Sequence, residues 1–164
     1  MNRIQLKRTA LAEAFQQVLS RTGPLLVGDV MTPDLYCVTP ETSARKLLDL
    51  FQARRVKNFL VVEGDELVGV LCDRDVVYLF GAHDMLEADY LDRVLASELM
   101  NTDLRTVTPE TSLREAVTKM VDLSMGVLPV VQQKRPVGIL TCTDLMLALE
   151  QSLALSEPGA RLYS

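Results

Sequence analysis

Residues 138–144 of this chain, Gly-Ile-Leu-Thr-Cys-Thr-Asp, bring two hydroxyls and a carboxylate together where a predicted strand gives way to a predicted helix. The hydroxyls of Thr141 and Thr143, with the free N–H groups of a helix start, suit a phosphate. The carboxylate of Asp144 suits the paired hydroxyls of a ribose, and Gly138 would let the backbone approach a ligand closely. The same residue types are ordinary helix caps, worth about 1 kcal/mol. Taken alone, the segment favours a cap over a ligand site.

Residues 69–75, Gly-Val-Leu-Cys-Asp-Arg-Asp, repeat this pattern with one difference. Cys72 stands where the other segment has Thr141, and a thiol is a weak hydrogen-bond donor and acceptor. Asp75 keeps the carboxylate, and Arg74 could meet a phosphate. We therefore expect a weaker second site here. A redox role for Cys72 is less favoured, because a buried cysteine is usually inert packing.

Positive charge is concentrated in residues 54–57, Arg-Arg-Val-Lys. Because the chain has a formal net charge of -5, a phosphate ligand would need such a local supply of cations. The alternative is a solvated helix end, where cations interact favourably with the C-terminal end of the helix dipole. For Arg54 this alternative is the better interpretation.

These segments belong to an internal repeat, in which residues 27–81 align with residues 96–150 without a gap. The longest identical run is Val-Thr-Pro-Glu-Thr-Ser, at 38–43 and again at 107–112. A second match pairs Val-Gly-Val-Leu at 68–71 with Val-Gly-Ile-Leu at 137–140. A single register held for this long indicates a duplicated structural unit.

Each copy predicts the same order of elements, β-α-β-β-α. Ser112 and Glu115 have the spacing of a capping box at the start of a helix. Apolar residues at 44, 47, 48 and 51, and at 113, 116, 117 and 120, form one face of the first helix. The predicted strands are 36–38, 59–62, 67–71, 105–107, 127–131 and 137–140, and the predicted second helices are 73–80 and 142–151. One unit is too small to bury both faces of its sheet, so we expect a pseudo-twofold pair.

The predicted fold class is α/β, with a helix ahead of the repeats. Ile4, Leu11, Phe15 and Val18 share one face of a helix over 3–20, which either covers the repeats or joins two chains. The expected organisation is an N-terminal helix in 1–24, a first motif in 25–81, a linker in 82–95, a second motif in 96–151 and a C-terminal tail in 152–164. His83 and the acidic residues of the linker are most simply solvated.

Composition excludes several classes of protein. With 164 residues, 48% of them hydrophobic, the chain can close an ordinary core without disulfides or metals. Its sequence pI of about 4.9 disfavours nucleic acid and anionic membranes. Three widely spaced cysteines and one histidine offer no metal-ligand set and no secreted disulfide scaffold. Without an apolar leader or a bilayer-length apolar stretch, we expect a cytoplasmic protein.

The two copies resemble the cystathionine β-synthase (CBS) domain pair, also called a Bateman module. The likeness covers residues 25–151. It is carried by Asp-Val-Met-Thr-Pro at 29–33, Glu-Leu-Met-Asn-Thr at 98–102, both Thr-Pro-Glu-Thr-Ser turns and Leu-Pro-Val-Val at 128–131. It is also carried by the segments at 69–75 and 138–144, which are the closing segments of the two copies. This resemblance implies tandem βαββα CBS repeats and a regulatory module, often a disc-shaped dimer, with up to two clefts for adenosine ligands.

The resemblance also implies which residues would bind. In nucleotide-binding members of the family, the closing segment has Gly, two apolar residues, Ser or Thr, two variable residues and Asp, and the second copy matches fully. A phosphate-contacting basic residue corresponds to Lys57, facing the cleft served by the other copy's threonine and aspartate. The implied main cleft contains Met31, Pro33, Arg55, Val56, Lys57, Gly138, Thr141, Thr143 and Asp144, with Met31, Pro33 and Val56 beside the adenine. The weaker cleft would use Cys72, Arg74, Asp75 and Met125.

Three functions compete. The leading one is a non-enzymatic regulatory homodimer that binds AMP, ADP or ATP, requires no cofactor or metal and acts on an unknown protein target in trans. The second is a ligand-free dimerisation or partner-docking module. An enzyme is third, because the sequence has no recognisable nucleophile elbow with a paired base and no metal-ligand set.

Overall fold

The computed structural model describes residues 3–19, 23–82 and 89–156. Residues 83–88 of the linker, which include His83, lie outside this description, as do the tail after residue 156 and the side chain of Val18. The elements, in chain order, are α1 (Arg3–Leu19), α2 (Val27–Val30), β1 (Cys37–Val38), α3 (Ala44–Arg54), β2 (Asn58–Glu63), β3 (Glu66–Cys72), α4 (Asp73–Ala82), α5 (Tyr90–Arg93), α6 (Ala96–Leu99), α7 (Leu113–Asp122), β4 (Val127–Gln132), β5 (Arg135–Thr141) and α8 (Cys142–Ser156). Within these described ranges, no helix combines the length and the hydropathy needed to cross a bilayer.

The elements follow the predicted β-α-β-β-α order in each copy. Helices α4 and α8 begin at the predicted residues, and α8 continues to Ser156, past the predicted end at 151. The first strand of the second copy is shorter than predicted: only a parallel bridge between Val107 and Val130 forms, at the position equivalent to the β1–β2 pair Val38–Val61. The predicted α/β fold with a duplicated unit is confirmed, and the pseudo-twofold packing of the copies stays a prediction.

Two compact units are present, and each combines parts of both copies. Unit one comprises Met1–Pro33, Thr106–Gln132 and Val137–Ser164, and unit two comprises Asp34–Arg105 and Gln133–Pro136. The stretch from α2 to Pro33, which precedes the first strand of the first copy, is its entrance segment, and it belongs with the second copy's helices in unit one. The entrance segment of the second copy, which contains α6, belongs with the first copy's sheet.

Backbone hydrogen bonds hold the exchanged entrance segments in place. In unit one, the amides of Val27 and Gly28 donate to the carbonyls of Thr111 and Pro109, each at 2.9 Å. In unit two, the amide of Ala96 donates to the carbonyl of Thr42 at 2.8 Å. Each Thr-Pro-Glu-Thr turn thus satisfies the otherwise unpaired first amides of a short helix from the other copy.

Unit two is built on a three-stranded sheet in the order β1-β2-β3, with β1 parallel and β3 antiparallel to β2. Gly64 adopts a φ of 60° in the hairpin turn, where a side chain would be strained. The core packs Leu47 and Phe51 of α3 against β2 and β3, and the rings of Phe51 and Phe59 lie 4.6 Å apart. Each fully buried large side chain contributes about 1.5–3 kcal/mol, so this unit has a core of its own.

Unit one surrounds the antiparallel hairpin strands β4 and β5 with α1, α2, α7 and α8. Leu128, Val130 and Leu140 are completely buried. Leu11 and Phe15 of α1 are buried in the same cluster, so the N-terminal helix covers this unit. Ile4, on the same helical face, is 52% exposed, so burial of this face is confined to the part of the described helix nearer its C-terminus. The first turns of α1 extend past the core.

Candidate functional site

The start of α8 is capped by residues of the predicted phosphate and ribose site. Oδ2 of Asp144 accepts hydrogen bonds from the backbone amide of Thr141 at 2.6 Å and from its hydroxyl at 2.8 Å. The amide of Asp144 in turn donates to Oγ1 of Thr141 at 3.4 Å. This reciprocal arrangement satisfies free donors at a helix N-terminus. The capping role considered for these residues is therefore present, and it uses one of the two carboxylate oxygens.

The second oxygen of Asp144 faces a cation from the N-terminal helix. The ammonium of Lys7 pairs with Oδ1 of Asp144 and also donates to the hydroxyl of Thr32. That hydroxyl donates to the same Oδ1 at 3.3 Å. Asp144 is only 2% exposed, and a buried carboxylate is costly unless it is paired and hydrogen-bonded. Lys7 and Thr32 complete the set of donors that allows this burial.

Thr32 is held in place by the exchanged entrance segment. Its amide and carbonyl form an antiparallel bridge with Ile139 of β5, with both hydrogen bonds at 2.9 Å. This bridge holds the backbone of Thr32 beside Ile139, which lies two residues before Thr141 on the strand that leads into α8. The entrance segment thus supplies a hydroxyl to a carboxylate that lies far away in sequence.

Gly138 has a packing role at this strand. A Cβ at Gly138 would overlap the thioether of Met31, and the equivalent Gly69 has the same relationship with Met100. Met31, predicted to flank an adenine, is partly buried and packs against the core of unit one. The absence of a side chain at Gly138 thus allows Met31 to pack closely, and a contact of Gly138 with a ligand stays a prediction.

Lys7 is a site residue that sequence reasoning missed. It lies four residues before Leu11 and eight before Phe15, on the helical face that those residues bury. Its side chain is 18% exposed, which is low for a lysine. The next residue, Arg8, pairs instead with Glu150 of α8 at the surface, with an N–O distance of 2.8 Å. A lysine on an otherwise apolar helix face is the sequence feature from which a buried, paired cation could have been predicted.

The equivalent cap in unit two has a thiol in place of the threonine hydroxyl. Oδ2 of Asp75 accepts from the backbone amide of Cys72 at 2.6 Å, as Asp144 does from Thr141. Burial raises the pKa of the Cys72 thiol, and the adjacent Asp75 carboxylate raises it further. A raised pKa keeps the thiol neutral and weakly nucleophilic. Arg74 is exposed at the start of α4. In the described part of unit two, no cation contacts Asp75.

The basic run ends α3 in unit two. Arg55 takes a left-handed conformation, with a φ of 51°, as the C-cap of that helix. Lys57 is exposed, and its carbonyl accepts from the amide of Asp73 at 3.0 Å. Arg54 lies over the ring of Tyr36, with its guanidinium carbon 5.9 Å from the ring centroid. Val56 is partly buried against the core of this unit.

Unit one therefore brings together Met31, Gly138, Thr141 and Asp144 of the predicted main cleft. Thr143 is exposed at the second position of α8, Pro33 is exposed, and Met125 packs against the core. The other predicted residues belong to unit two; they are Arg55, Val56, Lys57, Cys72, Arg74 and Asp75. A cleft shared by residues of both units stays a prediction.

Comparison with known proteins identifies the repeats. A family profile described as "CBS domain" matches residues 27–81 and 96–151. The CBS domain-containing protein YhcV of Bacillus subtilis (strain 168) is 31% identical over 119 residues, which are 73% of this chain and 81% of YhcV. The uncharacterized protein MJ1232 of Methanocaldococcus jannaschii is 29% identical over 122 residues, but this chain spans 38% of its length.

Solved structures agree with this match. CBSX2 from Arabidopsis thaliana superposes with a TM-score of 0.67 and 27% identity, covering 80% of this chain and 98% of CBSX2. CBSX2 in complex with AMP gives a TM-score of 0.67 at 26% identity, over 79% and 99% of the two chains. The cytosolic domain of the Mg²⁺ channel MgtE, in complex with ATP, gives 0.62 at 27% identity, over 79% and 51%. With both copies matched by the profile, the chain belongs to the CBS domain family as a tandem CBS pair.

Proposed function

We propose that this CBS pair binds an adenosine nucleotide of the AMP, ADP or ATP class and acts as a dimeric, non-enzymatic regulator. It would work in the cytoplasm on a protein target in trans. A ligand that binds one conformation better than another shifts the population toward that conformation, which is how such a module would signal. The nucleotide is an effector here and no cofactor is required.

The observation that carries this function is the buried carboxylate of Asp144. Its Oδ2 belongs to the helix cap, whereas its Oδ1 faces side chains from outside α8. A ribose hydroxyl is a donor that could take the place of a side-chain donor at this oxygen. The amides at the start of α8 and the exposed hydroxyl of Thr143 would suit the phosphate.

Two relatives support the ligand class. CBSX2 has been solved in complex with AMP and the cytosolic domain of MgtE in complex with ATP. Both are at least 26% identical to this chain over 79% of its length. An adenosine nucleotide is therefore the first ligand to test.

A second candidate, a ligand-free dimerisation or docking module, is favoured by the surface of α8. Met146, Leu149 and Leu153 are large apolar residues that are exposed on one face of this helix. In unit two, Val77 and Tyr78 of α4 are exposed in the same way. Contiguous exposed apolar surface marks interaction sites. Homodimerisation through these helices is part of the proposal. Sedimentation equilibrium tests it by measuring the oligomeric state of the wild type and of Leu149→Glu.

A thermal-shift experiment separates ligand sensing from docking alone. Ligand at about 100 times its dissociation constant should add about 2.7 kcal/mol of stability. For a domain of this size, that raises the melting temperature by several degrees. AMP, ADP, ATP and S-adenosylmethionine are each titrated, with a guanosine nucleotide as the control. If none of the adenosine compounds moves the melting temperature, the docking module is the better account.

A further inference from the structure

We propose that Lys7 of α1 is an intramolecular competitor for the nucleotide, holding the ribose-binding oxygen of Asp144 whenever the ligand is absent. This inference rests on the proposed nucleotide function, and it adds a regulation of that site. The ion pair between the Lys7 ammonium and Oδ1 of Asp144 is the contact on which it depends.

The donors around Asp144 leave little capacity for a further partner. Oδ2 already accepts two hydrogen bonds from Thr141. Oδ1 accepts from Lys7 and from the hydroxyl of Thr32. A carboxylate oxygen has two lone-pair sites, so a ribose hydroxyl can bind Oδ1 only by replacing one of these donors. The backbone bridge with Ile139 keeps the short side chain of Thr32 beside the site, whereas Lys7 reaches Asp144 through a long flexible stem, so we take Lys7 as the donor that leaves.

The position of Lys7 along α1 makes its departure feasible. Toward the C-terminus, Leu11 and Phe15 anchor the helix in the core of unit one. Toward the N-terminus, the side chains of Ile4 and Leu6 are exposed. Lys7 lies where the anchored part ends, on a flexible four-carbon stem. Opening of the first turns of α1 would carry Lys7 away and free Asp144 without unfolding the core.

Competition of this kind weakens the apparent affinity. When the binding-competent state is a fraction of the population, the apparent dissociation constant rises by the inverse of that fraction. If Lys7 covers the site in about nine molecules of ten, its removal tightens binding about tenfold. The linkage is reciprocal, so a bound nucleotide must also drive Lys7 away from Asp144.

Calorimetric titration of AMP and ATP into three full-length proteins tests the competition. The proteins are the wild type, Lys7→Met and Arg8→Gln. Methionine keeps the aliphatic stem without the charge. Arg8 is the matched control, because it also joins α1 to α8 through Glu150 but does not touch Asp144. We expect Lys7→Met to bind about tenfold more tightly, or to bind where the wild type shows no heat, and Arg8→Gln to match the wild type within twofold.

The other outcomes separate this inference from the function on which it rests. Unchanged or weaker binding by Lys7→Met, beside measurable wild-type binding, overturns the competition and leaves the nucleotide function intact. No binding by any of the three proteins overturns both. Equal tightening by Arg8→Gln would mean that α1 docking as a whole, and not Lys7, limits access, which also overturns it.

A second variant and a second measurement guard against misfolding of Lys7→Met. Lys7→Gln retains a hydrogen-bond donor and should give a smaller gain in affinity. In the wild type, hydrogen exchange of the α1 amides near Lys7 should accelerate when AMP is added. Unchanged exchange in α1 at saturating AMP contradicts displacement of Lys7 even if neither variant folds.

Discussion

Asp144 and Thr141 form a reciprocal cap at the start of α8: the carboxylate of Asp144 accepts from the amide and hydroxyl of Thr141, and that hydroxyl accepts from the amide of Asp144. At the start of α4, the carboxylate of Asp75 accepts from the backbone amide of Cys72. The second copy gains a hydroxyl that both donates and accepts, where the first copy has a thiol. The two helix starts are therefore the same structure, and we expect the hydroxyl to make the stronger cap.

Exchanging these two residues should exchange the cap strengths. Thr141→Cys should lower the free energy of unfolding by about 1 kcal/mol, and Cys72→Thr should raise it by a similar or smaller amount, because an N-cap hydroxyl has about that value. Urea denaturation followed by circular dichroism measures both changes. Equal and negligible effects would show that the backbone bond to the carboxylate provides the whole cap.

Gly138 should not tolerate a side chain. In Gly138→Ala, the new Cβ overlaps Met31, and overpacking of this kind typically costs about 1–3 kcal/mol. Gly126→Ala is the matched control, since a Cβ there meets no atom within 4 Å and its backbone is not left-handed. Thermal unfolding of the two variants should differ by several degrees. Equal melting temperatures would mean that Met31 moves aside at little cost.

Much of this fold could be predicted because the two copies of the repeat independently predict the same elements. Helices α4 and α8 begin where the strand-to-helix pattern placed them, and the two hairpins occupy the predicted strands. The exchange of entrance segments could not be predicted, because the two turns have the same Thr-Pro-Glu-Thr-Ser sequence. Either turn could accept the amides of Val27 or of Ala96, so pattern alone does not select the partner.

The site was predicted less completely than the fold. Thr141 and Asp144 were identified, but the partner of the second carboxylate oxygen was not. Lys7 and Asp144 are 137 positions apart, and the residues around either one do not predict that the two side chains pair. A lysine at the helical spacing of Leu11 and Phe15 indicates a buried cation, and only the tertiary structure shows which anion neutralises it.

Cys72 should react slowly with alkylating reagents at neutral pH. Its thiol pKa is raised by burial and then by Asp75, and the thiolate is the reactive form. Because the folded pKa lies above the unfolded value, the neutral thiol favours the fold at low pH. That contribution is lost as the pH rises through the folded pKa.

Mass spectrometry of tryptic peptides after brief iodoacetamide treatment measures this reactivity. Cys142, which is exposed, should be modified before Cys72. Raising the pH, or replacing Asp75 by Asn, should accelerate modification of Cys72. A Cys72 that reacts first at neutral pH would contradict the raised pKa and would revive a redox role.

Lys57 should contribute to phosphate binding if one cleft is shared between the copies. Lys57→Gln should weaken AMP and ATP binding by about tenfold to a hundredfold, because a hydrogen bond to a charged group contributes about 1.5–3 kcal/mol. It should leave binding of adenosine, which has no phosphate, unchanged. Lys46→Gln, another exposed lysine of unit two, is the control. Equal effects of the two variants would exclude a specific phosphate contact at Lys57.

The central claim is that a buried carboxylate at the start of α8 binds the ribose of an adenosine nucleotide. Calorimetric titration of AMP into the wild type, Asp144→Ala and Asp75→Ala tests it most directly, with circular dichroism confirming that each variant is folded. The account predicts that Asp144→Ala abolishes the stronger binding and that Asp75→Ala preserves it. Equal losses in the two variants, or loss in Asp75→Ala alone, would contradict it.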